Sequence, residues 1–185
     1  MITRHTTRCA LIVLAMAAAP IAARAQSYPK TLIATTEATS AGGTSTATLT
    51  IRIEQLMEDL YFKRVSNALR QDGYQKFFPA LRALPSIGYV QLGDKKTDLK
   101  YAREREAKPR LVLGTDRPIF FIGGGAPDAK PRTGYEMAVI ELDIDAQGNG
   151  TGIITPAARV KHVPDGVVVE GYAEKPLQLT VKPAK

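Results

Sequence analysis

The chain has 185 residues with one cysteine, no tryptophan and two histidines, and aromatic residues make up only 6% of it. Cys9 precedes the apolar stretch at residues 10–19, so residues 26–185 offer neither a disulfide framework nor a thiol nucleophile. His162 is the one histidine beyond residue 25, which leaves a zinc site short of soft ligands and a serine-type triad short of a base. It stands in Lys161-His162-Val163-Pro164-Asp165, where a solvated histidine at a strand end before a turn is expected. No G-x-S-x-G occurs, and the lack of tryptophan removes the usual platform for a sugar ring. The basic excess of +7 is small and interspersed with acids, which gives no footprint for nucleic acid.

What is present begins with an address. Arg4 and Arg8 stand ahead of ten apolar residues (10–19), Pro20 breaks the run, and Ala23-Arg24-Ala25 places small residues where a signal peptidase needs them. That run is about half the ~20 residues that a membrane-crossing helix requires. No Arg-Arg pair precedes it, and Cys9 lies on the wrong side of it for lipid attachment. Residues 1–25 are therefore read as a cleaved signal peptide, and the protein as exported to a periplasm or beyond the cell. Three basic residues and no acidic ones lie in that stretch, so the excess over residues 26–185 is +4. No transmembrane segment is expected in those 160 residues, and no cofactor motif is found in them.

The remaining chain reads as a single β-rich domain. Residues 31–39 and 44–54 are rich in threonine and β-branched residues, and the second alternates Ala47, Leu49, Ile51 and Ile53 with polar neighbours. Together they predict a hairpin around Ala41-Gly42-Gly43. The period then changes: Met57, Tyr61, Val65 and Leu69 recur at helical spacing, and Gly73 stops the run. A second helical stretch carries Tyr74, Phe77, Phe78, Leu81 and Leu84, with Pro79 either kinking it or marking its first turn. From Pro85 onward strand signals return at 88–92, 97–106, 110–114, 118–122, 135–144, 151–160, 167–170 and 177–181, with a Gly/Pro-rich loop at 123–134. The expected class is α+β: an antiparallel sheet of about ten short strands, with a helical pair inserted at 57–84 after the second. A meander, a partial barrel around the helices and a sandwich all satisfy that pattern.

The segments KFFPALRALPSIGYV (76–90), TDRPIFFIGGG (115–125) and GYEMAVIELDIDAQGNGTG (134–152) resemble a family of exported bacterial proteins of unknown function. The resemblance implies a secreted single domain and brings no activity, ligand or catalytic residue with it.

Four constellations can be weighed on chemistry. Asp143, Asp145, Asn149 and Thr151 alternate around Gly148 as in part of a calcium loop. However, Gln147 replaces an acid, Ile154 stands where the bidentate glutamate belongs, and Gly148-Asn149-Gly150 suits a plain hairpin turn. Gly123-Gly124-Gly125 follows an apolar strand, but no helix follows to supply aligned donors for a phosphate. Glu141, Asp143 and Asp145 share one strand face about 7 Å apart, a spacing glycosidases use and solvated strands also show. Lastly, Leu99, Tyr101, Arg103 and Arg105 share a parity, so two guanidinium groups follow two apolar side chains on one face. With Tyr61, Phe77 and Phe78 from the helices they would outline an apolar pocket with a basic mouth, suited to a small amphipathic or anionic molecule. The leading expectation is a non-enzymatic domain binding such a molecule or a cell-envelope partner. A structural protein without ligand, with Arg103 and Arg105 guarding an edge strand, and a carboxylate hydrolase are the alternatives.

Overall fold

The computed structural model describes residues 27–40, 43–106, 111–120, 132–172 and 175–184. The expected signal peptide at 1–25 and the triglycine at 123–125 lie outside the described residues.

Eleven elements follow in chain order. Strands β1 (Lys30–Ser40) and β2 (Gly43–Ile53) form the expected hairpin, and helices α1 (Asp59–Asp72) and α2 (Tyr74–Arg82) come next. Strands β3 (Gly88–Leu92), β4 (Lys95–Glu104), β5 (Leu111–Thr115), β6 (Met137–Ile144), β7 (Gly150–Val163), β8 (Gly166–Gly171) and β9 (Leu177–Pro183) complete the chain. Every pairing is antiparallel. Strands β1 to β7 are linked through β1–β2, β2–β3 and so on to β6–β7, and β9 lies between β7 and β1 to close the ring. The sheet is thus a closed eight-strand barrel, with β8 left outside the ring as the return arm of a hairpin on the far half of β7. Meander, partial barrel and sandwich, which the sequence pattern left open, resolve into closure: β9 alternates Leu179 and Val181 inward and has pairing edges for two neighbours.

The period-two patterns point into the barrel. Leu32 faces Ile51, Ala34 faces Leu49 and Val181, Leu113 faces Ile140, and Ile140 faces Ile154. Leu32, Leu49, Ile51, Leu99, Leu113, Ile140, Leu142 and Ile154 are each fully buried. Eight strands enclose a lumen that side chains of this size fill, so the barrel is a packed core rather than a cup. The helices consequently lie outside it. In α1 the buried residues are Val65 and Leu69, in α2 Phe77, Phe78 and Leu81, and α1 also carries Asp59 in its first turn and Arg70 in its last, both favourable to the helix dipole. Gly73 (φ 72°) ends α1 and returns its N–H to the Leu69 carbonyl, as expected of a left-handed cap. Pro79 sits inside α2 rather than at its first turn; it is exposed, and the Gln75 carbonyl that loses its partner belongs to an exposed residue that water can reach.

Three differences from the sequence reading have local causes. Residues 118–120 are not in a strand, because Ile119 spends its N–H on the Pro156 carbonyl outside any ladder. Strand β7 runs to Val163, past the expected stop at 160, because β8 pairs with that extension. Strand β4 carries a bulge between Leu99 and Tyr101: Leu99 opposes Thr115, whereas Tyr101 opposes Gly114. Lys100 is the extra residue, and its Nζ donates to the Leu84 carbonyl at 3.0 Å and meets Asp98 at 3.3 Å. Among the described residues no helix is long and apolar enough to cross a membrane.

Where the barrel is closed by packing, truncation should cost most. Ile140→Ala is expected to lower unfolding free energy by roughly 2–5 kcal/mol, and Val168→Ala, at a residue 43% exposed, by no more than about 0.5 kcal/mol. Urea denaturation followed by circular dichroism checks both; equal losses would contradict the packed lumen.

Candidate functional site

The bulge at Lys100 decides where the candidate site lies. A regular strand would keep Leu99, Tyr101 and Arg103 on one face. With one residue inserted, Leu99 turns into the barrel and Tyr101 and Arg103 turn out, beneath α1. The tyrosine and the arginine of that shared parity thus part from Leu99 and form part of a groove of about 690 Å³ between α1 and the outer wall of the barrel.

The floor of the groove follows from register. Arg103, Val112 and Glu141 oppose one another across β4, β5 and β6, and Tyr101, Gly114 and Val139 form the next row. Gly114 makes the low point: a Cβ there would stand 3.0 Å from the Met137 methyl and 3.2 Å from the Tyr101 Cβ. One wall is α1, contributing Phe62, Val65 and Leu69, with Lys63, Ser66, Asn67 and Arg70 along its rim. The opposite wall is the β7–β8 hairpin, where Val160 opposes Val169 and His162 opposes Val167 on the face toward the groove. Phe77 of α2 also lines the groove. Lys63, Arg70, Arg103 and Arg105 supply positive charge at the margins, against Glu104 and Glu141.

Of the residues singled out from sequence, Phe77, Tyr101, Arg103 and Arg105 come together on this groove. Tyr61 and Phe78 do not. Tyr61 lines a separate small cavity of about 70 Å³ with Gln55, Met57, Leu84 and Lys100. Phe78 is buried against Tyr74, the rings 5.7 Å apart and nearly parallel, because α2 turns that face toward its own neighbours. Both are packing residues.

The two arginines differ in their engagements. Arg103 donates to Asp59 Oδ1 at 2.6 Å and to the Met57 carbonyl at 3.3 Å, and its guanidinium lies 4.5 Å from the Phe62 ring centre. It ties the start of α1 to the barrel. Arg105 is exposed and makes no hydrogen bond or ion pair among the described residues. Burial pushes the Tyr101 hydroxyl above its ordinary value, with Arg103 and Arg105 opposing the shift. At Arg103 strand β4 has β5 on one side, while on the other the Ala102 carbonyl accepts from the Met57 N–H and α1 is tied on by Asp59.

Asp145 Oδ1 accepts the N–H groups of Gln147 and Asn149, both at 2.9 Å, and these bonds hold its carboxyl below the usual range, that from Asn149 foremost. Asp143 faces the barrel exterior opposite Thr151. Among the described residues no group of three or more His, Cys, Asp or Glu could hold a metal ion. Of the three carboxylates on the β6 side, Glu141 alone lies on the groove. His162 also reaches it, which its place in a turn-like pentapeptide concealed, and so do Val167 and Val169. The valines carry no chemical signal; only the hairpin register reveals them.

Comparison with protein-family models, with curated proteins and with solved structures returns no match, so the groove stands on its own residues.

The Asp59–Arg103 tie responds to pH in a definite sense. The hydrogen bond from Arg103, then its charge, lowers the Asp59 carboxyl below its ordinary value. The tie is fully present above the ordinary carboxylate range and is lost as pH falls through the lowered value. Hydrogen exchange in the first turn of α1 should therefore hold steady from neutral pH down to the ordinary carboxylate range and accelerate, beyond the intrinsic pH dependence, below it. In Asp59→Asn that acid step should vanish; its persistence would assign the step to another group.

Proposed function

We propose that this is an exported, non-enzymatic binding protein whose groove under α1 holds a small amphipathic anion. The observation that carries the reading is the joining of an apolar floor to a basic margin: Tyr101, Val112, Gly114, Met137 and Val139 lie beside Lys63, Arg103 and Arg105. A volume of about 690 Å³ falls within the span of roughly 300–1,000 Å³ usual for small-molecule sites.

The division of labour follows from the side chains. Apolar body and floor gain on the order of 25 cal/mol for each Å² removed from water. The head group belongs toward Arg105 and Lys63, because Arg103 is already engaged by Asp59 and Glu141 makes the neighbouring floor unfavourable to a second negative charge. Arginine suits a carboxylate or phosphate through its planar fork of donors. Export fits the residues at 1–25, which read as a signal peptide. A ligand-free structural role is the competing reading, and the absence of a bound molecule in the following experiment would favour it.

Native mass spectrometry of protein purified from its own host, with thermal-shift titration against single-chain carboxylates and phosphates, tests the proposal. A retained ligand or a rise in melting temperature with amphipathic anions is expected, and none with neutral analogues of the same chain length. Arg105→Glu together with Lys63→Glu should weaken binding roughly 10- to 100-fold, as expected for loss of a charge-assisted hydrogen bond. Gly114→Leu should weaken it by filling the floor. Binding unaffected by either change would place the ligand elsewhere.

A further inference from the structure

Strand β8 carries a ladder on one side only among the described residues. Among the described residues β8 pairs only with β7, from Val163↔Gly166 to Ala158↔Gly171. Val167 is 55% and Val168 43% exposed, unusual for valines in a strand. The strand GVVVEG holds no lysine or proline, the residues that commonly blunt an edge. Its one charge, Glu170, is already paired with Arg159 of β7 at 2.6 Å.

Hydrogen-bond parity specifies which groups the edge offers. Tyr172 gives its N–H to the Ala157 carbonyl, so in this antiparallel hairpin the even-numbered residues from Gly166 to Tyr172 direct their N–H and C=O toward β7. Val167 and Val169 direct theirs away, toward the open side. We infer that two copies associate through this edge in antiparallel fashion, about a two-fold axis at Val168. Val167 of each copy then stands opposite Val169 of the other, and each such pair exchanges two backbone hydrogen bonds. Val168 meets its own symmetry mate in the closer, non-hydrogen-bonded kind of site. Glu170 falls opposite a glycine, Gly166, so no like charges face each other. An axis moved to Val169 would set Val168 against Glu170 and Val167 against Gly171, losing the apolar matches. Self-complementarity of this kind is what a two-fold interface requires. It favours a second copy over an unrelated strand.

The pairing also reaches the groove. Val167 and Val169 form part of its hairpin wall, and their partners in the second copy extend that wall as a four-stranded sheet. The area buried by one strand pair is below the ~1,000 Å² of a stable interface, so association should be reversible and depend on concentration. This inference does not rest on the ligand reading.

A cysteine pair tests the register directly. Cys9 is the chain's single cysteine, and the background is Cys9→Ser where residues 1–25 are retained. Directly opposed residues in a non-hydrogen-bonded site have Cα atoms about 4.5 Å apart, within disulfide reach. Val168→Cys should therefore form a covalent dimer under mild oxidation as the major product. Val167→Cys should form little, because the symmetry-related positions are more than ~7 Å apart. Analytical ultracentrifugation of the unmodified protein should show a monomer–dimer equilibrium that Val168→Lys abolishes, with circular dichroism confirming the fold. A monomer at every concentration overturns the inference. So does a dimer in which Val168→Cys fails to cross-link, or in which Val167→Cys cross-links equally well. Should Val168→Lys fail to fold, the cross-linking result decides alone.

Discussion

The filled lumen of the barrel governs the rest of the molecule. Leucine and isoleucine from strands all round the ring are fully buried inside it, and eight strands enclose an interior only wide enough for such side chains. Every amphipathic element not in the ring must then find apolar surface on the outer wall. The helical pair does so over β4 to β7, and the outward side chains there are accordingly Tyr101, Val112, Met137 and Val139 rather than the polar residues usual on a barrel exterior. The groove is the part of that second interface that the helices do not fill. A ligand in it would share its floor with the contact that holds α1 in place.

That arrangement divides the stability of the fold unevenly. The ring is held by ladders on both sides of every strand in it, whereas α1 buries only Val65 and Leu69 and is tied at its start by Arg103. An exposed ion pair contributes little by itself. Here it is reinforced by the Met57 carbonyl and by the Phe62 ring, three contacts from one guanidinium. Both walls of the candidate site, α1 and the β7–β8 hairpin, thus include elements outside the ring, consistent with the general placement of binding elements at the low end of local stability.

Much of the architecture was legible in the order of apolar residues. Ala47, Leu49, Ile51 and Ile53 declare β2 and its inward face, and Val65, Leu69 and Gly73 declare α1 and its end. Closure was not, because it depends on β9 finding two distant edges, a property of the whole sheet rather than of any segment. The site was half legible. Tyr101, Arg103, Arg105 and Phe77 carry recognisable chemistry and do converge, yet one inserted residue parts Tyr101 and Arg103 from Leu99, whose parity they share in the sequence. Tyr61 and Phe78 have the same composition signal and different neighbours, which only packing distinguishes. The valines of β8 gave no signal, since an apolar residue on a short strand reads as core wherever it finally sits.

The bulge at Lys100 also bears on how the chain avoids error while it folds. An unbulged alignment of β4 with β5 would keep every odd residue from Leu99 onward on one side. That alignment would carry the Tyr101 hydroxyl and the Arg103 guanidinium into the lumen and turn Ala102 out. Enclosing an unpaired guanidinium among leucines costs several kcal/mol or more, whereas the bulged alignment buries Ala102 completely and leaves Lys100 bonded to the Leu84 carbonyl. The guanidinium on the groove would therefore weigh against such a slipped register, whatever it binds once folding is complete.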